Sequence, residues 1–496
     1  MSSITNAGAI QQDSMGRRLS FIIGAVVAAS GLAMVPAALV SLAYREWAEA
    51  AEILAAAAVT TIVGVVAWRF IGRHGVLTTK EGFAAVGLAW FVMAFFGTLP
   101  YLFTGSIANL TDAFFETAAG FTTTGASVIP DPSQLGHGVL IWRAATQWLG
   151  GMGVIVLSIA VLPLLGVGGV QLAKAESPGP QPDRLTPRFR ETAKRLWWIY
   201  VAFTALEILM LWAGEMSLFQ AVAHAFTTMS TGGFGTEATS ITGFSSYTQW
   251  VITAFMFIAG ASFALHFRAL RRPGEYFRNA EFRLYALLLF GAIAVVSFGI
   301  WTTDMWHGSL RDAAFTTTSI MTTTGYATAD FGSWAAGLQI LIVGLMFLGG
   351  SSGSTAGGVK TFRVAVLTRA ASADLRRLVH PRAVLVTRFG GKAVPDPIVG
   401  SVQSFFLFYM FLFMTGTVLL GLIESRLGTG LDLITSTSAV ASCLGNIGPG
   451  LGLVGPTANF LAVPGLGKWL LSFLMIAGRL EIFPVLLLFT RDLWRR

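Results

Sequence analysis

TDAFFETAAGFTTTGA (111–126), LFQAVAHAFTTMSTGG (218–233), RDAAFTTTSIMTTTGY (311–326) and LDLITSTSAVASCLGN (431–446) align without a gap over sixteen residues. The alignment puts Gly125, Gly232, Gly325 and Gly445 in one column. Asp112, Asp312 and Asp432 share a column thirteen residues earlier, with Phe219 as the exception. The glycines lie 107, 93 and 120 residues apart, so the repeating unit is a whole helix, loop and helix, which is an architectural repeat. Each stretch is too short and too polar to span a bilayer, and non-helical backbone at membrane depth is tolerated only where protein buries it or water lines it. The pattern predicts a short helix entering from the outer side and an extended segment returning outward. Four such segments around one axis present a ring of carbonyl oxygens able to replace the hydration shell of a cation. The C-terminal ends of the short helices would add partial negative charge. The candidate ring residues are Thr123, Thr124, Gly125, Thr231, Gly232, Thr324, Gly325, Leu444, Gly445 and Asn446. Leu444 stands where the other copies have threonine, so the glycine backbone is what the copies share, and glycine allows positive φ and close chain approach.

The rest of the chain fits a membrane setting. Of 496 residues, 54% are hydrophobic and 12% charged, against about 25% charged in soluble domains, which excludes a soluble monomer. Hydropathy gives ten expected spans: 20–43, 51–71, 83–104, 141–169, 196–214, 247–267, 284–303, 335–371, 398–424 and 465–490. The first apolar run is too long for a secretory signal and reads as a retained span. A cytoplasmic N-terminus places 26 of the 33 Lys and Arg on the inner side and 13 of the 25 acids on the outer side, so both termini are expected in the cytoplasm. The outer acids read either as a field that gathers cations at a pore mouth or as ordinary solvated loop charge. Because the basic excess is spread over inner loops, it does not suggest nucleic acid binding. The expected units are a two-helix domain (1–80) and four pore modules (81–195, 196–283, 284–392 and 393–496). The lone Cys443 and six scattered histidines offer neither a disulfide framework nor a structural metal site, and no enzyme centre is visible.

The 335–371 span is interrupted by Gly349, Gly350, Gly353, Gly357 and Gly358, with serines and Thr355 among them. It is expected to break within the membrane and lie beneath the ring. GSTAGGVKT (353–361) imitates a phosphate-binding loop but follows an apolar helix and separates Gly from Lys, and GLGLVG (450–455) only formally fits a dinucleotide motif. Lys360 and Arg479 are the basic residues at membrane depth, where an ionisable group is costly and usually functional. Arg479 either projects toward the pore and holds the glycine-rich loop or pairs with Glu481 or Glu207. Lys360 either caps the resumed helix, opposes cation passage or snorkels to the interface. His224 reads as a hydrogen-bonded packing residue.

TTTGAS, MSTGGFG, TTTGYAT and CLGNIGPG, together with GGSSGSTAGGVKTFRV (349–364) and GRLEIFP (478–484), resemble the Trk/Ktr/HKT superfamily of potassium transporters. The two extra N-terminal spans resemble the TrkH branch more than the shorter KtrB. The resemblance implies an all-α integral membrane fold of four pseudo-symmetric helix, re-entrant loop and helix modules around one pore. It also implies a homodimer in the lipid bilayer of the bacterial inner membrane and a cytoplasmic TrkA-type nucleotide-binding ring, with nucleotide on that partner only. Glycine at position 125 then goes with potassium as the transported ion. The glycine-rich loop, Lys360 and Arg479 become the intramembrane gate, as an alternative to a static kink. A symporter coupled to protons or sodium is the other reading, with Glu207 and Glu481 as the acids within spans.

Overall fold

The structure, a computed structural model, describes residues 4–71, 78–160, 185–302, 309–383, 385–428 and 430–494. The end of the expected 141–169 span and the first half of the basic stretch 174–195 lie outside the described residues. Helices α1 (Ile4–Ala43) and α2 (Trp47–Val66) form an antiparallel hairpin. The first module follows as α3 (Thr79–Phe96), the short α4 (Leu99–Phe103), α5 (Leu110–Phe121) and α6 (His137–Ala160). The second comprises α7 (Leu185–Trp212), α8 (Leu218–Met229), α9 (Ser246–Ala259) and α10 (Phe263–Ala269). After α11 (Glu275–Arg278) comes the third: α12 (Ala280–Trp301), α13 (Ser309–Met321), α14 (Ala336–Met346) and α15 (Thr361–Val379). A small antiparallel hairpin of β1 (Arg388–Phe389) and β2 (Lys392–Ala393) leads to the fourth: α16 (Asp396–Leu427), α17 (Leu433–Gly445), α18 (Gly465–Arg479), α19 (Phe483–Leu487) and α20 (Arg491–Trp494).

The four short helices α5, α8, α13 and α17 have 12, 12, 13 and 13 residues. At about 1.5 Å per residue each is roughly 20 Å long, too short for a hydrocarbon core of about 30 Å. Side chains start them: Asn109 accepts from the Thr111 N–H at 2.9 Å, Ser217 and Gln220 form a reciprocal capping box, and Asp432 accepts from the Thr435 N–H at 2.7 Å. The face from which they enter is called the mouth face below. Among the described residues, six helices are long and apolar enough to cross a membrane, and a seventh span arises if α9 and α10 are counted together. Exposed Leu407, Phe411, Met414, Val418 and Leu422 recur at helical spacing along α16, a lipid-facing stripe.

Three expected spans are broken rather than one. The break in 335–371 falls at 347–360, as the glycines predict. The expected single span 247–267 instead bends by 97° between α9 and α10, at Gly260–Ser262. The expected span 465–490 ends at Arg479 and resumes as α19, because Glu481 and Ile482 adopt left-handed conformations and Pro484 follows.

Small residues let the N-terminal hairpin close tightly. A Cβ at Gly64 would overlap the Ala28 backbone, and one at Gly31 would come within 2.7 Å of the Thr61 nitrogen. Gly64→Leu is therefore expected to force α1 and α2 apart at a cost of about 1–3 kcal/mol. The check is thermal melting of the detergent-purified protein, which should fall by several degrees; an unchanged midpoint would contradict the tight hairpin.

Candidate cation pathway

Each short helix ends in a turn of alternating backbone handedness. Positive φ occurs at Thr123 (51°) and Gly125 (77°), at Thr231 (56°) and Gly233 (75°), at Thr323 (59°) and Gly325 (85°), and at Asn446 (57°) and Gly448 (111°). The amides match as well. Thr124 and Gly125 both donate to the Ala119 carbonyl, Gly232 and Gly233 to Thr227, and Thr324 and Gly325 to Ser319, while Ile447 donates to Ser442. These two patterns correct the gapless alignment. The residues equivalent to Gly125 and Gly325 are Gly233 and Gly448, not Gly232 and Gly445. Gly445 instead ends α17, at the position of Thr122. The fourth helix runs one residue further into its loop, and its left-handed residue is Asn446, a type that tolerates this conformation. Asp432 is an N-cap whereas Asp112 lies inside its helix, so the shared acid column is not a structural one.

The turns close on one another in sequence order. A Cβ added to Gly125 would overlap the carbonyl oxygen of Gly232, one on Gly233 that of Thr324, and one on Gly325 that of Ile447. A Cβ on Gly448 would lie 2.7 Å from the Thr124 carbonyl oxygen, which completes the circle. Each glycine thus abuts the carbonyl that precedes the glycine of the next turn. Thr124, Gly125, Gly232, Thr324 and Gly325 all fall in this ring, while Leu444 and Gly445 lie before it. The ring residues that the gapless alignment passed over are Gly233, Ile447 and Gly448. A one-residue slip that sets STGG (230–233) under TTTG (122–125) would have found the first of them.

Side chains brace the ring from behind. Gln147 of α6 donates to the Gly232 carbonyl (2.8 Å) and accepts from the Phe234 N–H (3.1 Å). The Asn446 amide donates to Thr124 Oγ1 (3.0 Å) and to the Met475 carbonyl (2.8 Å). Tyr326 reaches back to the second short helix, where its hydroxyl meets Thr227 Oγ1 and lies 3.1 Å from His224 Nδ1; His224 Nε2 lies 3.1 Å from Thr236 Oγ1. Fully buried Glu116 pairs with Arg143, whose guanidinium also donates to the Gly235 carbonyl (3.1 Å) and Ser127 (3.2 Å) and stacks over Phe234 at 4.1 Å.

Most mouth-face acids are consequently structural rather than a diffuse cation-gathering field. Glu116 holds Arg143 and Asp112 holds Lys468 at 2.6 Å. Glu46 and Glu49 accept the backbone amides that open α6. Asp131 and Asp330 cap short turns, and hydrogen bonds from Ser133 and Gln134 hold the Asp131 carboxyl below the usual carboxylate range.

The glycine-rich loop 347–360 lies directly against the ring. The Gly357 N–H donates to Thr323 Oγ1 at 2.7 Å, and Thr355 Oγ1 donates to the carbonyls of Met229 (3.1 Å) and Ala259 (3.3 Å). A Cβ on Gly357 would overlap the Gly445 carbonyl, and Gly350 packs as tightly on Gly260. Gly349, Gly353 and Gly358 all have positive φ. Arg479 donates to the Thr355 carbonyl at 2.6 Å and to the Gly150 carbonyl at 3.4 Å, so one guanidinium ties the loop to the fourth and first modules. The pairing of Arg479 with Glu481 is not observed. Glu481 instead takes Arg363, a residue counted from sequence among the inner-loop charges, and Lys360 at 3.5 Å. Lys360 is buried and paired, not snorkelling, and its backbone rather than its side chain caps α15. Glu207 is fully buried with neither carboxylate oxygen hydrogen-bonded.

The TrkH cation transport protein family matches residues 49–495. Over 490 residues the chain is 40% identical to the Trk system potassium uptake protein TrkH of Halomonas elongata, covering 97% of this chain and 99% of that one. It is 38% identical over 487 residues to the protein of the same name from Escherichia coli, with the same coverage. The crystal structure of the potassium transporter TrkH from Vibrio parahaemolyticus superposes with a TM-score of 0.88 at 36% identity, covering 97% of this chain and 99% of that chain.

Removing one partner of a buried ion pair costs about 3–5 kcal/mol, because the other charge stays buried. Glu116→Ala should therefore lower the melting midpoint sharply, and the double variant Glu116→Ala/Arg143→Met should recover much of the loss. A single variant as stable as the native protein would show that the pair does not brace the ring.

Proposed function

The chain belongs to the TrkH family of cation transport proteins, and from that membership we propose that it takes up potassium through the ring of four turns. The observation that carries this reading is the closed circle of glycine-to-carbonyl contacts around a pseudo-fourfold axis. Alternating left- and right-handed residues turn successive carbonyls to the same side of the chain. Four such turns offer a dehydrated cation oxygens in place of water. The mouth face is outside and both termini are cytoplasmic, so an inside-negative potential contributes about 2.3 kcal/mol per charge per 100 mV toward accumulation. The units 1–80, 81–195, 196–283, 284–392 and 393–496 serve as an N-terminal hairpin and four pore modules.

Loop 347–360 is the gate. Its contacts with Thr323, Met229, Gly445 and Arg479 support a position across the path beneath the ring, and on this reading passage requires that it withdraw. Arg479 and Lys360 hold it there, Arg479 through the loop's own carbonyl and Lys360 through Glu481. The protein works as a homodimer in the inner membrane under a TrkA-type regulatory ring that carries the nucleotide. Exposed Arg268, Arg271, Arg272 and Arg278, with Arg369, Arg376, Arg377, Arg382 and Arg388, form the basic face on which that ring docks. One observation favours a second reading: Glu207, a buried carboxyl whose oxygens accept no hydrogen bond among the described residues, is the group a proton-coupled symporter would use.

Potassium and sodium flux into proteoliposomes at clamped potential tests both readings. The native chain should prefer potassium, and Gly125→Ser, whose Cβ has no room, should reduce that preference on the order of tenfold (about 1.4 kcal/mol). Unchanged selectivity would remove Gly125 from the filter. Flux that requires a proton gradient and disappears in Glu207→Gln would favour the symporter.

A further inference from the structure

Above the ring, on the mouth face, lies an open cavity of about 110 Å³ bordered by Gly125, Gly233, Gly325 and Gly448. This is far more than the roughly 10–15 Å³ that one water requires, so a cation with part of its hydration shell fits. Two charged residues line the cavity, Arg143 and Glu237. The charge of Arg143 is matched by buried Glu116. Glu237 is different. Its Oε1 accepts a hydrogen bond from the neutral Gln220 amide at 3.2 Å, and among the described residues no Lys or Arg lies within 4.0 Å of its carboxylate. The cavity therefore carries one uncompensated negative charge, held in place by a side chain from the second short helix.

That charge is off-axis. Six residues past the left-handed residue of its turn, Glu237 corresponds to Ile129, Ala329 and Gly452 in the other modules, none of them charged. Of the other acids on this face, Glu116 and Asp112 are held in ion pairs and Asp131, Asp330 and Asp432 cap turns or helices. A fixed charge inside a low-dielectric cleft focuses field and raises the local concentration of counter-ions.

We propose that Glu237 makes this cavity a collection site for a hydrated alkali or alkaline-earth cation. A monovalent ion held there is delivered to the ring, and a divalent ion, which the ring does not admit, competes for the same place. The inference rests on the proposed potassium pathway.

The test uses the full-length protein in proteoliposomes, comparing the native chain with Glu237→Gln and Glu237→Asp. At sub-saturating potassium and low ionic strength, Glu237→Gln should carry about tenfold less potassium, at the modest end of such focusing. The gap should close when an impermeant salt is added, because exposed charges are screened over about 10 Å at 0.1 M. Calcium added at the mouth face should inhibit the native chain and Glu237→Asp, and Glu237→Gln should need roughly tenfold more of it. Equal flux at low ionic strength with equal calcium sensitivity overturns the site while leaving the pathway intact. No potassium flux in any of the three proteins overturns the pathway, and the site with it.

Discussion

The structure depends on one backbone constraint: four turns must alternate between left- and right-handed residues at the depth of a membrane. Such a segment makes no helix or sheet ladder, so its polar groups must find partners elsewhere. Three of the four left-handed residues that open the turns are threonines, a β-branched type for which positive φ is strained by about 1–3 kcal/mol. Strain of this kind persists only where the surroundings over-determine it. Here the determinants are Gln147 on the second turn, Asn446 between the first and fourth, and the Tyr326 hydroxyl on the second short helix.

The same need accounts for the buried charges. Arg143 and Glu116 lie behind the first two turns, and Lys468 joins the fourth module to the first through Asp112. The Lys468–Asp112 pair crosses a module boundary, and Arg143, paired within the first module, crosses one through the Gly235 carbonyl, so both help fix how the modules sit around the axis. Net stability is not a sufficient reason to keep them, because a buried ion pair can often be replaced by apolar side chains without loss. What the guanidinium adds is directional bonding: Arg143 reaches a carboxylate, a hydroxyl and a backbone carbonyl at once, which an apolar replacement cannot do.

Much of this was legible in the sequence, and its failures share a cause. The repeats, the short helices, the interrupted span 335–371 and most span positions follow from periodicity and composition, which act locally. The register of the second and fourth turns did not follow. Gly232 and Gly233 are adjacent and chemically identical, and only φ separates them. Gly445 looked like the fourth ring glycine because nothing in CLGNIGPG tells which residue is left-handed; Asn446 took that role and moved the glycine to position 448. The breaks at Gly260–Ser262 and Leu480–Ile482 were hidden because hydropathy does not register a bend, and at the second the charges Arg479 and Glu481 read as side chains within one continuous span. Arg363 and Glu116 were sorted as loop charges because sequence distance from a span says nothing about what folds over it. Their partners lie 118 and 27 residues away.

The fourfold symmetry therefore belongs to the backbone and stops at the side chains. The four left-handed residues have four surroundings: Thr123 Oγ1 has no hydrogen-bond partner, Thr231 bonds its own turn, Thr323 accepts from the glycine-rich loop, and Asn446 spans two modules. Among the described residues, only the third turn hydrogen-bonds the loop through this residue. A loop that left its place would take the Gly357 N–H from Thr323 and the Thr355 carbonyl from Arg479, leaving two buried polar groups to find water. Water can reach them only along an open path. On the proposed gating the closed arrangement is self-sealing: the contacts that hold the loop against the ring are lost together, and their replacement requires the hydration that an opened pathway would supply.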